Sequence, residues 1–149
     1  MQPTILRQRP ARAVVIHAHA HALAALEAAG RLPEAARCQL ILLSAPAAAG
    51  FLGPGWWAAL MAVLRPQMMP AAALDLLDCG YSAGRAMEAL RIGLRRLILR
   101  PGCPQHAAVL ARAAPLGADL LTVRPEALDM ARRDAHRQLA DWLCHGPAK

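Results

Sequence analysis

Five short apolar runs recur along the chain, and each is followed by a longer stretch rich in alanine and leucine. The first run, AVVIH, is β-branched and apolar at successive positions, which is typical of a strand that is buried on both faces. The same pattern returns at intervals that leave room for a helix between runs. We therefore predict strands at 13–17, 39–44, 73–78, 96–100 and 118–123.

The stretches between the predicted strands carry signals for helix starts and ends. Pro54 and Pro104 stand where the first turn of a helix is expected, and Ser82 stands at an N-cap position. Gly30 follows an alanine-rich stretch where a helix would end. A last helix is predicted to begin at Pro125, because apolar residues after it recur on one helical face: Leu128, Ala131, Ala135, Leu139, Trp142 and Leu143.

Strands that alternate with helices pair in parallel through right-handed crossovers. We therefore predict an α/β fold with an open, mostly parallel, doubly wound sheet of four to five strands, Rossmann-like or flavodoxin-like, with helices on both faces. A closed barrel of eight units needs about 250 residues, and the chain has 149; a half-barrel that pairs with a second copy is the alternative. Residues 13–145 are predicted to form a single domain, preceded by a flexible basic N-terminal arm at residues 1–12.

Composition narrows the class of protein. Hydrophobic residues make up 56% of the chain and aromatic residues only 3%, so the core is expected to consist of small aliphatic side chains.

The uncharged run 38–64 is interrupted by glycine and proline, which favours a buried strand, a loop and a buried helix over a membrane span. The four cysteines form no CxxC pair and no signal peptide precedes them, so we expect reduced thiols and a cytoplasmic location.

The positive charge is carried almost entirely by arginine. The formal net charge is +7, and Lys149 is the only lysine. Schiff-base chemistry, which needs a desolvated lysine inside the fold, is therefore excluded. Arginines cluster at positions 91, 95 and 96 and at 132, 133 and 137, but no aromatic residues lie among them, so nucleic-acid binding is not expected.

Polar and charged residues follow the predicted strands at their carboxyl ends, where open α/β sheets bind ligands. Two of them are arginines next to predicted helix N-termini, a setting that suits a phosphate or carboxylate. Neither GxGxxG nor GxxxxGKS is present. The leading hypothesis is therefore a small anionic ligand, and the candidate binding residues are Ser44, Asp78, Tyr81, Ser82, Arg100 and Arg124.

The segment HAHAH, residues 17–21, supports a second hypothesis. Neutral imidazoles are common metal ligands, and His17 and His19 together with Asp78 could hold a divalent metal with a water for a hydrolase or lyase reaction. In the alternative interpretation, His17 ends a buried strand while His19 and His21 face solvent. These residues leave open whether the protein is an enzyme.

A third hypothesis is an interaction module without a ligand. Three segments resemble the end of a response-regulator receiver domain: LLD that ends at Asp78, GAD that begins at Gly117, and the pair Arg124-Pro125. The resemblance implies an aspartate at the third strand end and a basic residue with proline at the fifth. His17 and His19 stand in place of the acidic pair of that family, so the resemblance implies a degenerate receiver without phosphotransfer. The adjacent Trp56 and Trp57 favour a homo-oligomer.

Overall fold

The computed structural model describes residues 10–147. Six strands lie within these residues: β1 (Ala11–Val15), β2 (Gln39–Leu43), β3 (Leu74–Asp78), β4 (Arg96–Ile98), β5 (Asp119–Leu121) and β6 (Ala127–Asp129). Six α-helices accompany them: α1 (His19–Arg31), α2 (Ala48–Phe51), α3 (Pro54–Met68), α4 (Ala83–Arg91), α5 (His106–Ala113) and α6 (Ala135–His145). Short 3-10 turns occur at Glu34–Ala36 and Ala114–Leu116.

The strands form a parallel sheet in the order β5-β4-β3-β2-β1-β6. Helices separate the successive strands from β1 to β5, as parallel pairing requires. The predicted α/β fold is confirmed, and the sheet has six strands where four to five were predicted.

The chain divides into two compact units, each defined by the contacts among its own residues. The first unit comprises residues 44–62 and 76–124 of the described chain, and the second comprises residues 10–43, 63–75 and 125–147.

The second unit contains the neighbouring strands β2, β1 and β6. Val14 lies opposite Leu42 on one side and Leu128 on the other, and all three side chains are buried. Helices α1 and α6 pack against each other. The indole Nε1 of Trp142 donates a hydrogen bond to the carbonyl oxygen of Ala13 at 2.9 Å. This bond gives a large, amphipathic side chain a polar partner next to an otherwise aliphatic core.

The first unit contains the neighbouring strands β4 and β5 and the end of β3. Leu97 lies opposite Leu77 and Leu120. Helices α4 and α5 pack against each other. Trp57 belongs to α3 and its side chain is fully buried, so it contributes to the core and not to an exposed interface.

The last third of the second unit differs from the sequence prediction. Pro125 does not begin a helix: residues 127–129 form β6, and α6 begins only at Ala135. Leu128 is buried as the central residue of β6 and Ala131 is exposed in the following turn. The helix-like spacing of these two residues was therefore coincidental.

Two further predictions concern a membrane span and the basic N-terminal arm. None of the helices within residues 10–147 is long and apolar enough to cross a membrane. Most of the predicted basic arm, residues 1–9, lies outside the described residues, and β1 begins at Ala11.

Candidate functional site

Ser44 follows β2 and joins the first unit through two hydrogen bonds. Its backbone N–H donates to the carbonyl oxygen of Leu76 at 3.0 Å, and its Oγ accepts from the backbone N–H of Asp78 at 2.9 Å. Both Ser44 and Asp78 are fully buried. At the carboxyl end of β3, the serine hydroxyl thus accepts the hydrogen bond that a backbone carbonyl oxygen of a neighbouring strand would ordinarily accept.

The Asp78 carboxylate is enclosed by hydrogen-bond donors. Its Oδ1 accepts from the backbone N–H of Gly80 at 2.8 Å, and its Oδ2 accepts from Nη1 of Arg124 at 2.6 Å. The Nη2 of Arg124 donates to the carbonyl oxygen of Ser44 at 2.7 Å. The two charged side chains are 1% and 17% exposed. This buried ion pair is well compensated, because both charges have additional hydrogen bonds.

Gly80 carries the chain out of β3 in a left-handed conformation, with φ +58°. Its carbonyl oxygen accepts from the backbone N–H of Arg100 at 2.8 Å. A Cβ at this position would lie 2.9 Å from the Cβ of Ala47, which is itself left-handed at φ 53°. Glycine is therefore required here for both conformation and space.

The Tyr81 ring and the Arg100 guanidinium stack on the surface of the first unit. The guanidinium carbon lies 5.5 Å from the ring centroid, within the range of a cation–π contact. The Tyr81 side chain is 62% exposed, and Arg100 is also exposed. A Cβ on Gly102 would lie 3.1 Å from Cε1 of the tyrosine, so glycine leaves room for the ring. Within residues 10–147, Arg100 forms no ion pair with a carboxylate.

Ser82 has a local structural role as the N-cap of α4. Its Oγ accepts from the backbone N–H of Arg85 at 3.3 Å, which satisfies one of the unpaired donors of the first helical turn.

Cys79, which directly precedes Gly80, is buried, and its thiol has low reactivity. Burial, and to a smaller extent the neighbouring Asp78 carboxylate, raise the pKa of its thiol to about 12. A thiol with such a pKa supplies almost no thiolate at neutral pH, which argues against Cys79 as a nucleophile.

All six predicted anion-site residues belong to the first unit, but they fall into different environments. Ser44, Asp78 and Arg124 form the buried network, whereas Tyr81 and Arg100 lie on the surface. Sequence reasoning missed Gly80, which joins the two groups. Its signal was a glycine two residues after a predicted strand and two residues before a predicted helix cap.

The histidine segment belongs to the second unit. The ring Nε2 of His17 lies 2.7 Å from Oδ1 of Asp129, a residue that the sequence prediction missed because it assigned this region to a helix. His19 is exposed at the first position of α1. Across residues 10–147, no three histidine, cysteine, aspartate or glutamate side chains form a group that could hold a metal ion. The metal hypothesis for His17, His19 and Asp78 therefore gains no support.

Searches against protein-family models, curated proteins and solved structures found no match to the chain. We therefore infer the function from the geometry of the sites themselves.

Proposed function

We propose that the first unit binds a small molecule bearing a phosphate or carboxylate group, and that Arg100 and Tyr81 make the direct contacts. The observation that carries this proposal is the exposed Arg100 guanidinium, held 5.5 Å from the Tyr81 ring centroid without a carboxylate partner among residues 10–147. A cation–π contact leaves most of the five N–H donors of a guanidinium available. An edge with two such donors binds phosphate and carboxylate groups through two parallel hydrogen bonds.

The buried network supports the proposal by holding the stack in place. Arg124 fixes Asp78, Asp78 fixes the backbone of Gly80, and Gly80 fixes the backbone of Arg100. Because Tyr81 directly follows Gly80, both members of the stack are attached to one hydrogen-bonded framework. A preorganised site loses less conformational entropy when a ligand binds.

Arg124 is the less suitable ligand contact. One terminal nitrogen donates to Asp78 and the other to the Ser44 carbonyl oxygen, and the side chain is 17% exposed. Its charge is already balanced by the buried carboxylate. We therefore assign Arg124 to the support of the site and Arg100 to the ligand.

Isothermal titration calorimetry with inorganic phosphate and with acetate tests the proposal. Arg100→Gln should weaken the binding of the preferred anion about tenfold or more, since a hydrogen bond to a charged group contributes about 1.5–3 kcal/mol. Arg112→Gln is the matched control, because Arg112 lies on the same unit in the last turn of α5. Its removal changes the net charge equally and should leave the affinity within about twofold.

Two results would overturn the proposal. One is equal loss of affinity in Arg100→Gln and Arg112→Gln, which would indicate attraction by overall charge alone. The other is the absence of measurable binding of either anion to the wild-type protein.

A further inference from the structure

A hydrogen-bonded histidine and aspartate lie at the carboxyl ends of two neighbouring strands of the second unit. Asp129 is the last residue of β6 and stands opposite Val15, the last residue of β1. His17 follows two residues later, and its Nε2 reaches Oδ1 of Asp129 at 2.7 Å. The His17 side chain is 34% exposed, so the pair is accessible from solvent.

The geometry fixes which nitrogen of His17 can accept a proton. An ionised carboxylate only accepts hydrogen bonds, so in neutral His17 the Nε2 atom must carry the hydrogen. The lone pair is then on Nδ1, which makes no hydrogen bond with any residue of the described chain. This is the arrangement of an oriented general base.

Neighbouring groups hold both members of the pair. The backbone N–H of Ala131 donates to Oδ1 of Asp129 at 2.9 Å. The backbone N–H of His17 donates to Nδ1 of His21 at 3.3 Å, and the two rings meet edge to face with centroids 5.9 Å apart. Burial lowers the pKa of His21, and His17 and His136 lower it further while Asp129 opposes them. A neutral His21 therefore remains an acceptor for the His17 backbone near neutral pH.

We propose that His17 is a general base that activates water toward small esters, with Asp129 as its positioning residue. Nδ1 of His17 takes a proton from water while the water oxygen forms a bond to the acyl carbon. The bond from that carbon to the leaving oxygen then breaks, and the leaving oxygen takes the proton from the imidazolium. The products are an acid and an alcohol, and no cofactor or oxidant is needed. This activity is separate from anion binding by the first unit.

Hydrolysis of p-nitrophenyl acetate by the full-length protein at neutral pH tests the role of His17. His17→Gln should lower the protein-dependent rate at least about tenfold, since general-base catalysis typically contributes about 10²–10⁴-fold. His145→Gln is the control, because His145 is an exposed histidine at the end of α6 in the same unit. Its rate should stay within about twofold of wild type. A His17→Gln variant that hydrolyses the ester as fast as His145→Gln would overturn the proposal.

The role of Asp129 is tested by the ring nitrogen spectrum of His17 in long-range ¹H–¹⁵N NMR. Wild-type protein should show the Nε2–H tautomer. In Asp129→Ala, which removes the oxygen that accepts from Nε2, His17 should lose its preference for the Nε2–H tautomer, and hydrolysis should be slower. Asp129→Glu, which keeps a carboxylate, should retain part of the tautomer preference and part of the rate. A wild-type Nδ1–H tautomer, or an unchanged spectrum in Asp129→Ala, would contradict the proposal even if a variant lost stability.

Discussion

At the scale of single residues, the Asp78–Arg124 pair is a buried ion pair of the first unit in which both charged groups have further hydrogen bonds. The carboxylate is 1% exposed and depends on Arg124 and on the Gly80 backbone for its compensation. A buried charge that loses its partner destabilises a protein far more than an intact buried pair stabilises it. We therefore expect replacement of one member of the pair to destabilise the protein much more than replacement of both members.

We predict that Arg124→Ala lowers the free energy of unfolding by about 3–5 kcal/mol, because it leaves the Asp78 carboxylate buried without its cation. Chemical denaturation followed by circular dichroism measures this change. In the Arg124→Ala background, Asp78→Asn should recover part of the loss, since the asparagine oxygen can still accept from Gly80 without carrying charge. A double variant less stable than Arg124→Ala would contradict this explanation.

His21 gives the second unit a predicted dependence on pH. Burial is the main cause of its lowered pKa, so the folded protein binds a proton less readily than the unfolded chain, whose ordinary value is 6.5. Between the folded pKa and 6.5, the unfolded state binds more protons, and stability therefore decreases as the pH falls through this window. Above 6.5 the contribution of neutral His21 is fully present.

NMR titration of the His21 ring should accordingly give a midpoint below 6.5. In His21→Gln, the free energy of unfolding should decrease less than in wild type when the pH is lowered across the same range. A midpoint at or above 6.5, or an unchanged pH dependence in the variant, would show that burial does not control this group.

The sequence identified several functional residues without revealing their partners. Asp78, Arg100 and Arg124 were all recognised from their positions at or directly after the ends of predicted strands. An arginine that binds an anion and an arginine that neutralises a buried aspartate have the same local sequence, however. Only the three-dimensional structure separates Arg124, which is paired, from Arg100, which is stacked on Tyr81.

At the scale of secondary-structure elements, the turn between β3 and α4 determines the geometry of the proposed anion site. Gly80 receives one hydrogen bond from Arg100 and donates another to Asp78, and Tyr81 follows immediately. Any change in this turn should therefore affect both the stability of the first unit and the position of the stack.

We predict that Gly80→Ala lowers the free energy of unfolding by at least about 1–2 kcal/mol, the usual cost of a left-handed conformation for an L-residue. The added Cβ would also lie 2.9 Å from the Cβ of Ala47. Ala47→Gly should relieve this second effect, so the double variant should be more stable than Gly80→Ala in thermal denaturation. Equal stability of Gly80→Ala and wild type would contradict the inferred strain.

Five of the six strands could be predicted because their apolar runs are continuous and bounded by polar or glycine-containing segments. β6 could not be predicted, because Pro125, two residues before it, is typical of a helix start and the apolar residues that follow recur with helical spacing. Its burial comes from pairing with β1, which is distant in sequence. Asp129 was missed for the same reason.

At the scale of the whole molecule, the alternation of strands and helices was sufficient to predict a parallel sheet. The order of the strands was not predictable, since a crossover can lead to either neighbouring side of a strand. The observed order places β6 next to β1, although the two strands stand at opposite ends of the described sequence.

The net charge of +7 gives the protein a general attraction for anions. A specific site must therefore be distinguished from general attraction to exposed arginines. The location at which an anion binds makes this distinction, whereas the affinity does not.

The most direct test is a ¹H–¹⁵N correlation spectrum of the wild-type protein recorded during titration with inorganic phosphate. We predict that the largest shifts fall on the backbone amides of Gly80, Tyr81, Ser82, Arg100, Gly102 and Cys103 and saturate with a single affinity. Shifts that instead spread over the arginine clusters at 91–96 and 132–137, or that leave Tyr81 and Arg100 unchanged, would contradict the proposed site.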